Sequence, residues 1–299
     1  MTVQIERSAT PRIAPAGLAF LTITSVSWGL NWPIMKHILT EWPPLSTRGL
    51  TGVVGGLLLA ALAVTRGQSL RVPQGQWPRL LLSAGLNVTT WMTLMGLSLL
   101  WLPASEAAVL AYTMPVWASL LAWLILGERM SLARMLALLM AFAGIAALMG
   151  GNGFNASMER LPGIVMVLVG AFVFAIGTIT AKRLPMAMPL IPATALQIGI
   201  GCLPVALAGL VFEHPRIEAL SGHGWLLMAY ITLIQFCIAY VCWFAAIERL
   251  PASVAAIGTM AVPVIGVLVS AAALHEPLGL SQIGGLVFTL AGVALAARS

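Results

Sequence analysis

Leu102-Pro103-Ala104-Ser105-Glu106-Ala107-Ala108 and Leu250-Pro251-Ala252-Ser253-Val254-Ala255-Ala256 differ at one position of seven, and a constant offset of 148 relates them. The same offset, without a gap, pairs Pro115 with Pro263, Glu128 with Glu276, Gly144 with Gly292, Trp77 with Trp225 and Asn87 with Gln235. Between Leu102 and Glu128, 11 of 27 positions are identical to their mates. Alanine- and leucine-rich helices align easily by chance; ungapped matches of Pro, Glu and Trp do not. An internal repeat read first sets the organisation: residues 1–152 form one unit and 153–299 a second.

What fills each unit follows from composition. Hydrophobic residues make up 60% of the 299, charged residues only 8%, and the mean hydropathy is +0.99. A soluble domain carries about 25% charged residues, so most of this surface cannot face water. Apolar runs long enough to span hydrocarbon as helices recur at 15–36, 44–65, 77–100, 104–126, 131–150, 161–182, 189–212, 224–247, 252–274 and 280–297. The expectation is an all-α integral membrane protein of ten transmembrane helices. Five spans per unit is an odd number, so the second unit enters the bilayer from the opposite side, giving two inverted five-helix repeats. Inverted repeats characterise secondary transporters, with the site near the midplane between them. Lys and Arg counted by side give eleven inside against four outside, which predicts cytoplasmic N- and C-termini. The four outer charges are Lys36, Arg48, Arg160 and Arg216.

The net charge of +6 does not point to nucleic acid, because the basic residues lie singly between spans. Cys202, Cys237 and Cys242 all fall inside apolar runs, which argues against a disulfide framework. The polar stretch ahead of Pro15 and the spanning length of the first apolar run predict that no cleaved signal peptide is present. Four scattered His and no Asp supply neither a metal cluster nor a catalytic constellation, so no cofactor and no enzyme activity are expected. No charged ring or filter-like loop favours a channel.

Trp28-Gly29-x-Asn31-x-x-x-x-Lys36, the two Leu-Pro-Ala-x-x-Ala-Ala segments with a downstream Pro, and the Gly127-Glu128 and His275-Glu276 turns resemble the drug/metabolite transporter superfamily. Within it the chain resembles the EamA-type ten-helix branch, and there the bacterial exporters of aromatic and other neutral amino acids. The resemblance covers essentially the whole chain and implies a basket-like bundle with a central cavity, exporting small metabolites across the bacterial inner membrane. The second half departs from the first-span element: Phe174-Ala175-x-Gly177 stands where the pattern has Trp-Gly-x-Asn.

Polar side chains at membrane depth are the functional candidates, because an unpartnered amide there costs several kcal/mol. Asn31, Asn87, Gln197 and Gln235 are the amides within spans. They serve either to bind a zwitterion or to join neighbouring helices. Trp28, Asn31, Trp32 and Met35 share one helical face. Trp91 with Asn87, Tyr112 and Trp117 around Pro115, and Tyr240 and Trp243 beyond Gln235 add candidate cavity aromatics, whose flat rings suit varied apolar cargo. The matched Pro115 and Pro263 interrupt their spans and act as hinges or as simple kinks. Lys36 and Lys182, near opposite faces, either attract a carboxylate at a cavity mouth or snorkel to headgroups. No carboxylate sits deep in a span, Glu106 being the nearest, so the expected mechanism is alternating access by a monomer with uncoupled, facilitated efflux. The rival expectation is a proton-coupled exporter of cationic drugs or other metabolites.

Overall fold

The computed structural model describes residues 15–126, 132–150, 153–250, 254 and 258–298. Every regular element among them is helical. Helix α1 (Pro15–Ile38) turns into α2 (Pro44–Thr65), which opens on a proline whose missing N–H costs nothing in a first helical turn. Helix α3 (Trp77–Ser98) widens into a π-helical stretch at Ala84–Thr89. Helices α4 (Ala104–Ala111) and α5 (Met114–Leu126) form one apolar run broken at Tyr112-Thr113. Helix α6 (Leu132–Gly150) precedes α7 (Gly153–Arg183), and α8 (Leu190–Glu213) ends in a π-helical turn. Helix α9 (Gly222–Ile247) is π-helical over Tyr230–Ile238; α10 (Ala261–Leu274) and α11 (Leu280–Arg298) close the chain.

Three of the expected runs differ in the structure, that at 252–274 because its helix is interrupted at Met260, ahead of α10. The run expected at 161–182 belongs to a helix that starts at Gly153 and continues through Pro162. The run expected at 104–126 is two helices. Glu128 and Pro251–Ser253, central to the repeat motif, lie outside the described residues.

Six helical segments, in α2, α3, α4–α5, α7, α8 and α9, are long and apolar enough to cross a membrane, and α6, α10 and α11 contain shorter apolar stretches. The outer surface agrees. Leu57, Leu124, Leu132, Phe212, Leu226 and Leu280 each leave at least 60% of their area bare. So much exposed apolar surface is stable only against hydrocarbon, and the chain is a multi-pass membrane protein.

Helices that are mates under the repeat offset pack on one another: α2 on α8, and α6 on α11. Both pairs run antiparallel. A side chain built on Gly49 would meet Ala206, on Gly52 Cys202, and on Gly56 Gly199; likewise Gly144 faces Thr289 and Gly285 faces Leu148. The cross-contacts follow the same offset. Helix α1 packs on α9 and α10, while α7 packs on α3 and α5.

At one end of this bundle three carboxylates each cap a helix remote in sequence. Glu213 accepts from the N–H groups of Leu45 and Ser46 at 2.9 and 2.7 Å. Glu276 accepts from those of Ala104 and Ser105 at 2.6 and 2.9 Å. Glu41 accepts from the Ser221 N–H and hydroxyl at 2.8 and 2.9 Å. A carboxylate at a helix N-terminus satisfies orphan donors and opposes the positive end of the dipole.

Two outcomes are expected. Gly49→Val drives a Cβ into the Ala206 backbone; neither main chain can yield, so thermal unfolding in detergent should show a loss of about 3 kcal/mol or more, the severe end of overpacking. Gly85→Ala, with nothing within 4 Å, should leave the melt unchanged. Glu41 titrates below its ordinary value because Ser221 bonds it, first through the main chain, with His37 and His223 adding to the effect. A carboxyl with a depressed folded pKa stabilises above its unfolded value and loses that contribution as pH falls through the folded one. The melting difference between wild type and Glu41→Gln should therefore be present at neutral pH and close in acid; a pH-independent difference would contradict the cap.

Candidate functional site

A cavity of about 120 Å³ lies between α1, α2, α3, α7, α9 and the α4–α5 break. On the measure by which one water needs about 10–15 Å³, it has room for roughly ten waters or a small solute. Of the nine cavity candidates, the structure brings together six on its wall: Trp28, Asn31, Trp91, Tyr112, Gln235 and Tyr240. Trp32, Met92, Met95, Met114, Phe174 and, from α10, Val262 complete the apolar part. The rings brace one another, with Trp28 edge-on to Tyr240 at 5.4 Å and Trp91 tilted on Phe174 at 4.9 Å. Such pairs fix the wall while leaving ring faces for a guest.

Trp117 and Trp243 do not line it. Trp117 donates to the Thr113 hydroxyl at 3.1 Å and sits edge-on to Phe142 and Phe172. Trp243 packs 5.7 Å from Trp28, behind the wall. Pro115 and Pro263 each follow a break in the helix, at Tyr112-Thr113 and at Met260 respectively. The breaks fall just ahead of prolines, whose nitrogen has no hydrogen to donate to the preceding turn.

The amide pair expected across the axis is split. Gln235 and Asn87 both occupy π-helical stretches, a wide turn frequent at functional sites. Gln235 reaches the cavity; Asn87 is absent from its wall. Its side-chain oxygen occupies the place that a Cβ of Gly177 would take. Gly177 is the residue by which the second half departs from Trp-Gly-x-Asn, so the missing side chain on α7 is what draws Asn87 away. Gln197 likewise serves packing, donating to Ser83 at 2.6 Å.

The charged candidates also fall apart. The Lys36 ammonium donates to the carbonyls of Leu99 and, at 3.0 Å, Leu102, clamping the end of α3 to the start of α4. The side chain of Lys182 lies outside the described residues. Glu106 is buried and bonded to Arg160 at 2.7 Å and to Gln282 at 3.1 Å. Arg160 is therefore an ion-pair partner rather than a free surface charge.

Arg48 is the residue that sequence reasoning missed. Counted as an outer charge, it is instead buried in α2 and part of the cavity wall. A signal was available: it stands inside the 44–65 run and adjoins Gly49 and Gly52, a close-packing face that leaves α2 no freedom to carry it to the surface. Three atoms in this cavity's lining are buried without a hydrogen-bond partner: Asn31 Oδ1, Arg48 Nε and Gln235 Oε1. Buried polar atoms are normally paired, so the cavity presents two open acceptors and one open donor among aromatic rings.

The Gly177–Asn87 fit is testable by a double-mutant cycle. Gly177→Ala should lower the melting temperature through the clash, and adding Asn87→Ala should restore most of it. Additive losses would mean that the two side chains do not share this space.

Comparison with known proteins identifies the architecture. The EamA-like transporter family matches residues 15–150 and again 161–298. The transporter YvbV of Bacillus subtilis is 31% identical over 278 residues, spanning 93% of this chain and 89% of that one. The aromatic amino acid exporter YddG of Ancylobacter novellus is 26% identical over 229 residues, covering 76% and 78% respectively. One solved crystal structure superposes with a TM-score of 0.63 at 23% identity, over 93% of this chain and 96% of the other, which is a likeness of fold. With family matches over both parts of the chain, this protein belongs to the EamA-like transporter family.

Proposed function

We propose that this transporter exports neutral amino acids, aromatic ones included, across a bacterial inner membrane by alternating access. The observation that carries the reading is the cavity itself: braced Trp, Tyr and Phe rings with unpartnered amide oxygens from Asn31 and Gln235. Rings accept a range of apolar side chains, and open acceptors receive an ammonium group. The relative named as an aromatic amino acid exporter supports the same substrate class.

In this reading ten spans form two inverted halves, 1–152 and 153–299, with both termini cytoplasmic and the chain acting as a monomer. The antiparallel packing of repeat-mate helices, α2 on α8 and α6 on α11, supports that division, and the end laced by Glu41, Glu213 and Glu276 is the closed one. The helix breaks preceding Pro115 and Pro263 give α5 and α10 hinges, so that rocking opens the other end. Coupling to protons is not part of the proposal. Among the described residues no carboxylate or histidine lines the cavity, and Glu106 is held by Arg160 and Gln282. The cationic-drug alternative is disfavoured by the buried Arg48 charge in the same wall, which repels a cation.

Counterflow from proteoliposomes across a panel of amino acids, sugars and organic cations tests the reading. Phenylalanine and related neutral amino acids should exchange without an imposed pH gradient, and Gln235→Leu should lose transport while melting like wild type. Saturable exchange of cations alone, or strict dependence on the pH gradient, would overturn it; normal transport by Gln235→Leu would remove Gln235 from the site.

A further inference from the structure

We infer that Arg48 anchors a carboxylate of the transported molecule, with the oxygens of Asn31 and Gln235 receiving its ammonium group. The inference rests on the amino-acid reading of the same cavity and narrows it to substrates bearing a free carboxylate. Arg48 is 2% exposed, lines the cavity and has an unbonded Nε. Among the described residues it has no carboxylate and no hydrogen-bonding partner. An unpaired charge at this depth costs several kcal/mol, which packing alone does not require, since an apolar side chain of similar length would fill the volume.

The surroundings show that the position is built rather than incidental. The nearest helix cap, Glu213, spends its carboxylate on the Leu45 and Ser46 N–H groups and the Ser46 hydroxyl, leaving Arg48 aside. The arginine stem packs along Gly96 of α3, where an added Cβ would stand in tight contact, 3.3 Å from Arg48 Cγ. Helix α2 is fixed behind it by Gly49 against the Ala206 backbone. The guanidinium is thus held, 2% exposed, in the wall of an aromatic cavity. Its planar fork matches a carboxylate in two parallel hydrogen bonds. A zwitterion then satisfies all three orphaned atoms at once: the donor by its carboxylate, the two acceptors by its ammonium.

Wild-type protein in proteoliposomes should exchange phenylalanine, and 3-phenylpropionate should compete, whereas phenethylamine and phenylalanine methyl ester should not. Arg48→Met should raise the half-saturating phenylalanine concentration by about ten- to hundredfold, the worth of a charge-assisted hydrogen bond; Arg48→Lys should fall between, keeping the charge without the fork. Arg48→Met should also melt no lower than wild type, because an unpaired buried charge has been removed. Equal binding of the amine or ester and the amino acid would overturn the inference. So would an Arg48→Met protein that melts lower yet keeps wild-type phenylalanine affinity, since that arginine would be structural. If Arg48→Met does not fold, the wild-type competition series and Arg48→Lys decide alone. Should wild type bind 3-phenylpropionate in an Arg48-dependent way yet carry no amino acid, the carboxylate site stands and the amino-acid reading falls.

Discussion

Backbone meets backbone where Gly49, Gly52 and Gly56 of α2 cross α8 at Ala206, Cys202 and Gly199. In hydrocarbon there is no hydrophobic drive between helices, so close van der Waals approach between small residues must supply the association. This crossing fixes α2, and α2 carries Arg48 into the interior. It also joins two repeat mates in antiparallel sense, the arrangement that recurs between α6 and α11. Much of the cavity's position follows from how tightly these glycines let the helices close.

The two ends of the bundle are built differently. One is laced by carboxylates that cap helices far away in sequence, each bond satisfying a donor that the helix cannot satisfy itself. Lys36 adds the complementary clamp on the carbonyls that end α3. At the other end, among the described residues, Arg79 reaches the Pro185 carbonyl at 3.2 Å, Gln76 takes the Ala187 N–H at 2.8 Å, and Arg183 donates to the Ile125 carbonyl. Most of the interior hydrogen-bonding capacity is spent on holding helices, Gln197 on Ser83 being typical. Of the buried side-chain atoms without a partner, Asn31 Oδ1, Arg48 Nε and Gln235 Oε1 share the cavity wall, while those of Gln68, Asn87 and Ser270 lie apart from it.

Asymmetry within the repeat decides which side of the cavity is polar. Asn31 on α1 and Gln235 on α9 both reach the cavity, whereas Asn87 on α3 leans into the space beside Gly177 of α7. Phe174, on the same helix, supplies a ring to the wall instead. The amides thus come from α1 and α9, beside Trp28 and Tyr240, while Trp91 and Phe174 of α3 and α7 add further rings, which suits a guest with a polar head and an apolar tail.

Long apolar runs, matched prolines and charge placement are local or periodic signals, so the helical membrane class, the repeat offset and most helix limits could be read directly from the chain. Six residues of the cavity wall were legible too, since aromatics and amides at membrane depth are conspicuous in so apolar a sequence. Arg48, Asn87, Trp117 and Trp243 were misplaced for a common reason. Whether a side chain faces a cavity, a neighbouring helix or the membrane depends on what stands opposite, and that partner is usually remote in sequence. Gly177 decides the direction of Asn87, Gly96 packs along the Arg48 stem, and Phe142 with Phe172 claims Trp117. Those pairings exist only once the helices have packed, because a glycine acts through the absence of a side chain, which leaves no mark on its own helix.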